Sequence, residues 1–176
     1  GRAMQRFSDA SHMTDCQGAL AALVDSHSEL AAPALRTFYA RFREEPLVID
    51  KWFAMQALAP ERNGQVFARV RALLQHPDFS LRNPNRVRSL VTAFCTSNPA
   101  AFHRADAAAY VFWSEHVLLL DAINPQIAAR LARVMDRWKR LAEPYRSAAR
   151  EAINRVQART ELSVDVREIV THALQD

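Results

Sequence analysis

Glycine is nearly missing from this sequence, with only Gly1, Gly18 and Gly64 among 176 residues. So few glycines leave no Gly-rich phosphate loop and argue against a β-rich fold with many tight turns. Lysine is scarcer still, at Lys51 and Lys139, so the basic residues are almost all arginine. The 23 basic residues exceed the 19 acidic ones by only four, spread along the chain. A surplus this small gives little support to nucleic-acid binding. Cysteine occurs twice, at Cys16 and Cys95, far apart and inside apolar helical patterns. Buried thiols are expected rather than a disulfide, which fits a reducing, cytoplasmic compartment. The longest apolar run, 107–113, is too short to span a bilayer, and the N-terminus has no signal-peptide apolar core. The sequence therefore reads as a soluble domain.

Recognisable catalytic motifs are missing as well. The six histidines, His12, His27, His76, His103, His116 and His172, include no H-E-x-x-H and no zinc-cage spacing with cysteine. There is no G-x-S-x-G. His103 has Asp106 close behind it, but a histidine at a helix end more often meets terminal carbonyls or solvent than a substrate. His116, beside Val117 and Leu118, reads as a packing residue. Glu44-Glu45 project about 100° apart on a helix and do not converge as an acid–base pair.

Alanine, leucine and arginine abound, and apolar residues recur with helical spacing throughout. The clearest boundaries are three Asn-Pro pairs, Asn83-Pro84, Asn98-Pro99 and Asn124-Pro125. Asn is a preferred N-cap, and Pro suits the first helical position, where its missing N–H costs nothing. The patterns predict helices near 13–26 (capped by Thr14 or Asp15), 28–43, 46–59, 63–74, 84–97, 99–103, 106–121, 125–141, 144–159 and 163–174. Val87, Leu90, Val91 and Phe94 form one apolar stripe, and Ile127, Leu131, Val134, Met135, Trp138 and Leu141 another. Short helices with short connections pack as antiparallel neighbours. The fold expected is all-α, with antiparallel helix pairs in a curved superhelical, α-solenoid-like array. Residues 1–12 read as an N-terminal tail, part of it added by cloning, and 13–176 as one helical domain. A chain of this length buries ~70% of the surface its unfolded form exposes.

The polar positions of interest lie on the 125–141 helix. Gln126, Arg130, Arg133 and Arg137 fall at i, i+4, i+7 and i+11, opposite the apolar stripe. Arg86 and Arg88 leave the earlier stripe in different directions. A solvated helix exterior explains any one of these arginines. The functional alternative is a concave surface that offers planar guanidinium forks to peptide carbonyls or a carboxylate.

The stretch from Asn83 to His103, N-P-N-R-V-R-S-L-V-T-A-F-C-T-S-N-P-A-A-F-H, resembles the C-terminal helical domain of bacterial aminopeptidase N. The likeness extends to P-L-V-I-D-K-W-F at 46–53, R-A-L-L-Q-H at 71–76 and N-P-Q-I-A-A-R-L at 124–131, and more loosely to L-S-V-D-V-R-E-I-V at 162–170. Members of that metalloprotease family are zinc hydrolases that remove N-terminal residues from peptides. Their zinc sits on H-E-x-x-H plus a downstream Glu, and G-x-M-E-N binds the free amine of the substrate. Neither motif occurs here, so the resemblance implies a cap domain that encloses the active-site chamber and limits access to it. Such a cap holds no catalytic residue, no metal ligand and no cofactor of its own, with zinc expected in the missing catalytic domain. By motif match Gln126 and Arg130 face the chamber, and Arg88 more weakly so. The partners implied are the catalytic domain of the same parent chain and peptide substrates, with no nucleic acid and no membrane. A free-standing helical-repeat adaptor binding a peptide or protein in its groove is the alternative, and a large exposed apolar patch would favour the detached cap over it.

Overall fold

The structure, a computed structural model, describes residues 13–26 and 28–176. The expected tail at 1–12 and His27 lie outside the described residues. No strand occurs among them, and the chain runs through α1 (Met13–Asp25), α2 (Ala31–Phe42), α3 (Pro46–Ala57), α4 (Gln65–Leu73), α5 (Pro84–Val87), a π turn (Arg88–Thr92), α6 (Ala93–Ser97), α7 (Pro99–Phe102), α8 (Ala108–Asp121), α9 (Pro125–Ala132), 3-10 turns at Arg133–Met135 and Trp138–Arg140, α10 (Tyr145–Gln157) and α11 (Val164–Leu174). Successive helices pair: α1 with α2, α3 with α4 and the π turn, α8 with α9 and α10, and α11 with both α9 and α10. This is the all-α, solenoid-like array that the short connections predict.

One continuous apolar core runs through the described residues, and it includes the whole stripe Val87, Leu90, Val91 and Phe94. The three tryptophans pin it by the same device. Trp52 Nε1 donates to the Leu35 carbonyl at 2.9 Å, Trp113 Nε1 to Leu131 at 2.8 Å and Trp138 Nε1 to Ala173 at 2.8 Å. Each indole thus fills apolar space and closes a backbone carbonyl of a neighbouring helix. Between the first seven helices and the last four, the core is aromatic. Phe112 meets Phe67 and Phe94 edge-on, and Tyr110 meets Phe102.

Two of the three Asn-Pro starts behave as their sequence predicts. Asn83 Oδ1 accepts from the Arg86 N–H at 3.1 Å, and Asn124 Oδ1 accepts from Ile127 at 3.4 Å. Asn98 departs from the prediction. Its amide is buried and donates to the carbonyls of Ala57 and Ala59 at 2.9 and 2.8 Å, closing the end of α3 instead of capping α7. A buried donor that reaches two otherwise unpaired carbonyls outweighs one cap. Ser163 caps α11 as expected, accepting from Val166, while its own N–H and hydroxyl donate to Asp121.

Several boundaries shift for local reasons. Thr14 and Asp15 lie inside α1 rather than at its cap. Ser28 stays outside α2, in a turn where its side chain accepts from Leu30 N. The predicted start of α4 at Asn63 moves to Gln65, because Asn63 and Gly64 adopt left-handed φ of 53° and 76°. At Gly64 an added Cβ would come within 3.1 Å of the Arg104 guanidinium. The predicted 125–141 helix is α-helical only to Ala132 and then tightens into 3-10 turns. There the bond from Trp138 to Ala173 and the burial of Met135 override the straight periodicity.

Candidate functional site

Gln126 and Arg130 sit one turn apart on α9, whose N-terminus is set by the Asn124 cap and Pro125. The opposite side of α9 buries Ala128, Leu131 and Ala132. Both polar side chains are exposed and neither bonds to another described residue. Arg133 and Arg137 are exposed too, but they belong to the 3-10 region, so the straight file of four polar residues persists only in its first half. Arg88 is exposed on the π turn, with Nη2 donating to Asn85 Oδ1 at 3.0 Å and Nε to the Pro84 carbonyl at 3.4 Å. The π turn packs on α3, whereas α9 packs on α8 and α11, and no hydrogen bond joins Arg88 to Gln126 or Arg130.

Arg86 is not the outward residue its position in the stripe implied. Its Nε donates to Asp50 Oδ1 at 2.7 Å, Nη1 donates to the Asp78 carbonyl, and the guanidinium lies 5.2 Å from the Phe53 ring centroid. The pair is almost fully enclosed, with side-chain exposures of 7% and 12%. It bridges α3, the 74–83 connection and α5, which makes it a structural ion pair.

The histidines of interest are held by protein groups. His103 Nδ1 lies 2.5 Å from the Tyr110 hydroxyl, and burial lowers the imidazole pKa while pushing that of Tyr110 up to about 12. His116 is buried, its Nδ1 on the Phe112 carbonyl at 2.8 Å, with its pKa lowered by burial. Glu44 and Glu45 are exposed at the α2–α3 junction, Glu44 beside Arg43 at 3.7 Å. Cys16 and Cys95 are both buried thiols, and burial raises the pKa of Cys95.

Sequence reasoning missed a network around His76. Its ring sits among Tyr39, Trp52 and Phe53, with centroids 4.9, 5.3 and 5.4 Å away. Its Nδ1 accepts from the Asp78 N–H at 3.0 Å, and the Tyr39 hydroxyl donates to the Asp78 carboxylate. The available signal was H-P-D at 76–78, where Pro77 turns the chain so that Asp78 returns onto the preceding imidazole.

No group of three His, Cys, Asp or Glu side chains converges as a metal site among the described residues. No described helix is long and apolar enough to cross a membrane. The larger exposed apolar side chains among the described residues are Leu30, Leu47, Leu58, Leu119, Ile123 and Val164. Leu47, 69% exposed, lies in the first turn of α3, and Leu58, 44% exposed, directly follows its last residue. Leu119, Ile123 and Val164, the last 70% exposed, lie where the end of α8 is tied to the start of α11 through Asp121 and Ser163.

A family model described as "Domain of unknown function (DUF3458_C) ARM repeats" matches residues 1–175. Aminopeptidase N of Caulobacter vibrioides is 40% identical over 173 residues, covering 98% of this chain and 20% of that protein. Aminopeptidase N of Escherichia coli is 39% identical over 170 residues, covering 97% and 19%. The backbone superposes on a crystal structure of Legionella pneumophila aminopeptidase A in complex with aspartic acid, with a TM-score of 0.90 at 30% identity. That match covers 98% of this chain and 20% of the other. The chain spans about a fifth of the length of the curated relatives it matches.

Proposed function

Because the chain belongs to the DUF3458_C family of ARM-repeat domains, we propose that it is the C-terminal helical cap of a cytoplasmic zinc aminopeptidase, enclosing the chamber in which peptides lose their N-terminal residues. The observation that carries this reading is the coverage: 40% identity over 98% of this chain but only 20% of the relative. A domain that matches from end to end, inside a relative several times longer, supports a role alongside a separate catalytic unit. The exposed Leu47 and Leu58, at the two ends of α3, fit a surface that another part of a larger protein covers.

Zinc would be held in the remainder of the parent chain and would supply the activated water for amide hydrolysis. This chain contributes shape and orientation. Gln126 and Arg130, unpartnered and one turn apart on α9, are free to meet peptide groups, with Arg130 presenting a bidentate fork to a carbonyl or a terminal carboxylate. Arg88 is a weaker candidate for the same surface, since it already bonds Asn85. Contacts so far from the reacting bond stabilise substrate and transition state alike, so their loss appears mainly in KM.

Arg130→Ala in the intact parent enzyme is therefore expected to raise KM for long peptides about tenfold, the equivalent of ~1.4 kcal/mol, with little change in kcat. Dipeptide-sized substrates, too short to reach the cap, should be cleaved as before. An unchanged KM for long peptides removes Arg130 from the substrate path.

A further inference from the structure

Where the ends of α1 and α3 meet the starts of α2 and α4, the helices leave an open cavity of about 570 Å³. Its size lies within the range of small-molecule sites. Alanine makes the space: Ala31, Ala32, Ala59, Ala68 and Ala72 stand on the walls, where larger side chains would fill it. Buried Leu35 and Val66 give it an apolar floor.

Gln56 Oε1 and the side chains of Gln65, Glu29 and Arg69 line this space without a protein partner of their own. Gln56, only 3% exposed, donates Nε2 to the Trp52 carbonyl at 3.0 Å, and its Oε1 makes no hydrogen bond. Thr92 Oγ1 alone is a fully enclosed unpaired side-chain polar atom among the described residues. Gln56 Oε1 is therefore open to solvent, and the cavity it lines is the route. Glu29, in the connection before α2, and Arg69, on α4, line the same cavity with opposite charge, yet neither forms an ion pair with the other or with any described residue. In addition, α2 begins beside the cavity with no side-chain cap, so its first turn leaves partial positive charge there.

An unpaired cation, an unpaired anion and a buried acceptor around an aliphatic hollow describe the complement of one chemical class. We propose that this cavity binds a zwitterionic amino acid or short peptide with an aliphatic side chain. Arg69 takes the carboxylate, Glu29 the ammonium group, and Gln56 Oε1 accepts an N–H. The aliphatic side chain lies on Leu35 and Val66. The cavity is built on helices other than α9, so its occupancy does not depend on the role of Gln126 and Arg130.

The test is an NMR titration of the 15N-labelled 176-residue chain with L-leucine and with L-leucyl-L-leucine. The expected result is saturable shifts centred on the amides of Ala32, Ala68 and Ala72. N-acetyl-L-leucine, lacking the ammonium, and L-leucinamide, lacking the carboxylate, should each bind about tenfold more weakly. Arg69→Gln should weaken leucine to the level of leucinamide without altering leucinamide itself. Ala68→Leu, at an exposed position where folding is not at stake, should fill the cavity and abolish the shifts. The stronger of the two zwitterions identifies the natural occupant as a free amino acid or a peptide. No saturable shift from either, undiminished binding of the two singly charged derivatives, or intact binding in Ala68→Leu overturns the proposal.

Discussion

Replacing Arg86 with Met tests whether the most enclosed ion pair of the described residues organises the first half of the array. The substitution keeps much of the aliphatic volume but removes three interactions: the bond to Asp50 at 2.7 Å, the bond to the Asp78 carbonyl, and the contact over Phe53 at 5.2 Å. The Asp50 carboxylate would then be stranded on α3 at 9% exposure. Leaving one member of a buried pair without its partner costs about 3–5 kcal/mol. Total stability is on the order of 10 kcal/mol, so this loss is a third of it or more. At about 2–4 °C per kcal/mol for a chain of this size, Tm should fall by roughly 6–20 °C. Urea unfolding followed by circular dichroism gives the free energy directly. Asp50→Leu combined with Arg86→Met should recover most of the loss, because it removes the stranded charge and replaces the pair by apolar volume. A single-variant loss below about 1 kcal/mol would show that the pair behaves like an exposed one and that the reasoning from burial is wrong.

Other consequences can be measured separately. Asn98→Ala strands the carbonyls of Ala57 and Ala59 and should cost about 2–4 kcal/mol, whereas Asn124→Ala, which removes only a cap, should cost about 1 kcal/mol; equal losses in urea titrations would contradict the assignment of Asn98 as an internal brace. His76, His103 and His116 all have pKa values held below the ordinary 6.5 by burial. The unfolded chain therefore binds protons first, so stability is full above pH 6.5 and declines as pH falls from there to the depressed folded values. Asp106, drawn down to about 2 by Arg104 and the Ala108 N–H, acts lower, its contribution being lost between 3.8 and about 2. Urea midpoints at about pH 7.5 and about pH 5 should differ, and a flat profile across that interval would refute the histidine assignment. Cys16 and Cys95, 0% and 3% exposed, should react with a thiol reagent only as fast as the chain opens; rapid labelling under native conditions would be incompatible with their burial.

What the sequence made legible followed from local chemistry. Helix content, most starts and the stripe Val87, Leu90, Val91 and Phe94 depend on periodicity and capping, which operate within a few residues. The exceptions depend on residues far along the chain. Asn98 looked like its two sibling caps, but α3 brings two carbonyls to its amide. Arg86 looked like a wet exterior arginine until Asp50 and the Asp78 carbonyl came to meet it. The 125–141 periodicity was sound for α9 and failed beyond it, where α11 supplies the Ala173 carbonyl to Trp138. The site was legible to the same degree. Gln126 and Arg130 share a helix face as their spacing requires, but Arg133 and Arg137 do not continue it, and Arg88 sits on another group of helices. The alanine-walled cavity left no local mark, since it exists only where four helices fail to fill the space between them.

The π turn at Arg88–Thr92 has a consequence for how this domain can change length. Such a turn is an α-helix carrying one residue more than its span needs, and the flanking turns keep their phase with each other. Both flanks here are anchored, by the Asn83 cap before it and by the Asn98 brace after it. Deleting one residue between those anchors would collapse the bulge into regular helix and leave both in place, whereas the same deletion in α8 or α10 would rotate everything downstream by about 100°. The surplus residue is thus slack inside a helix, where one residue can be lost without moving the walls on either side.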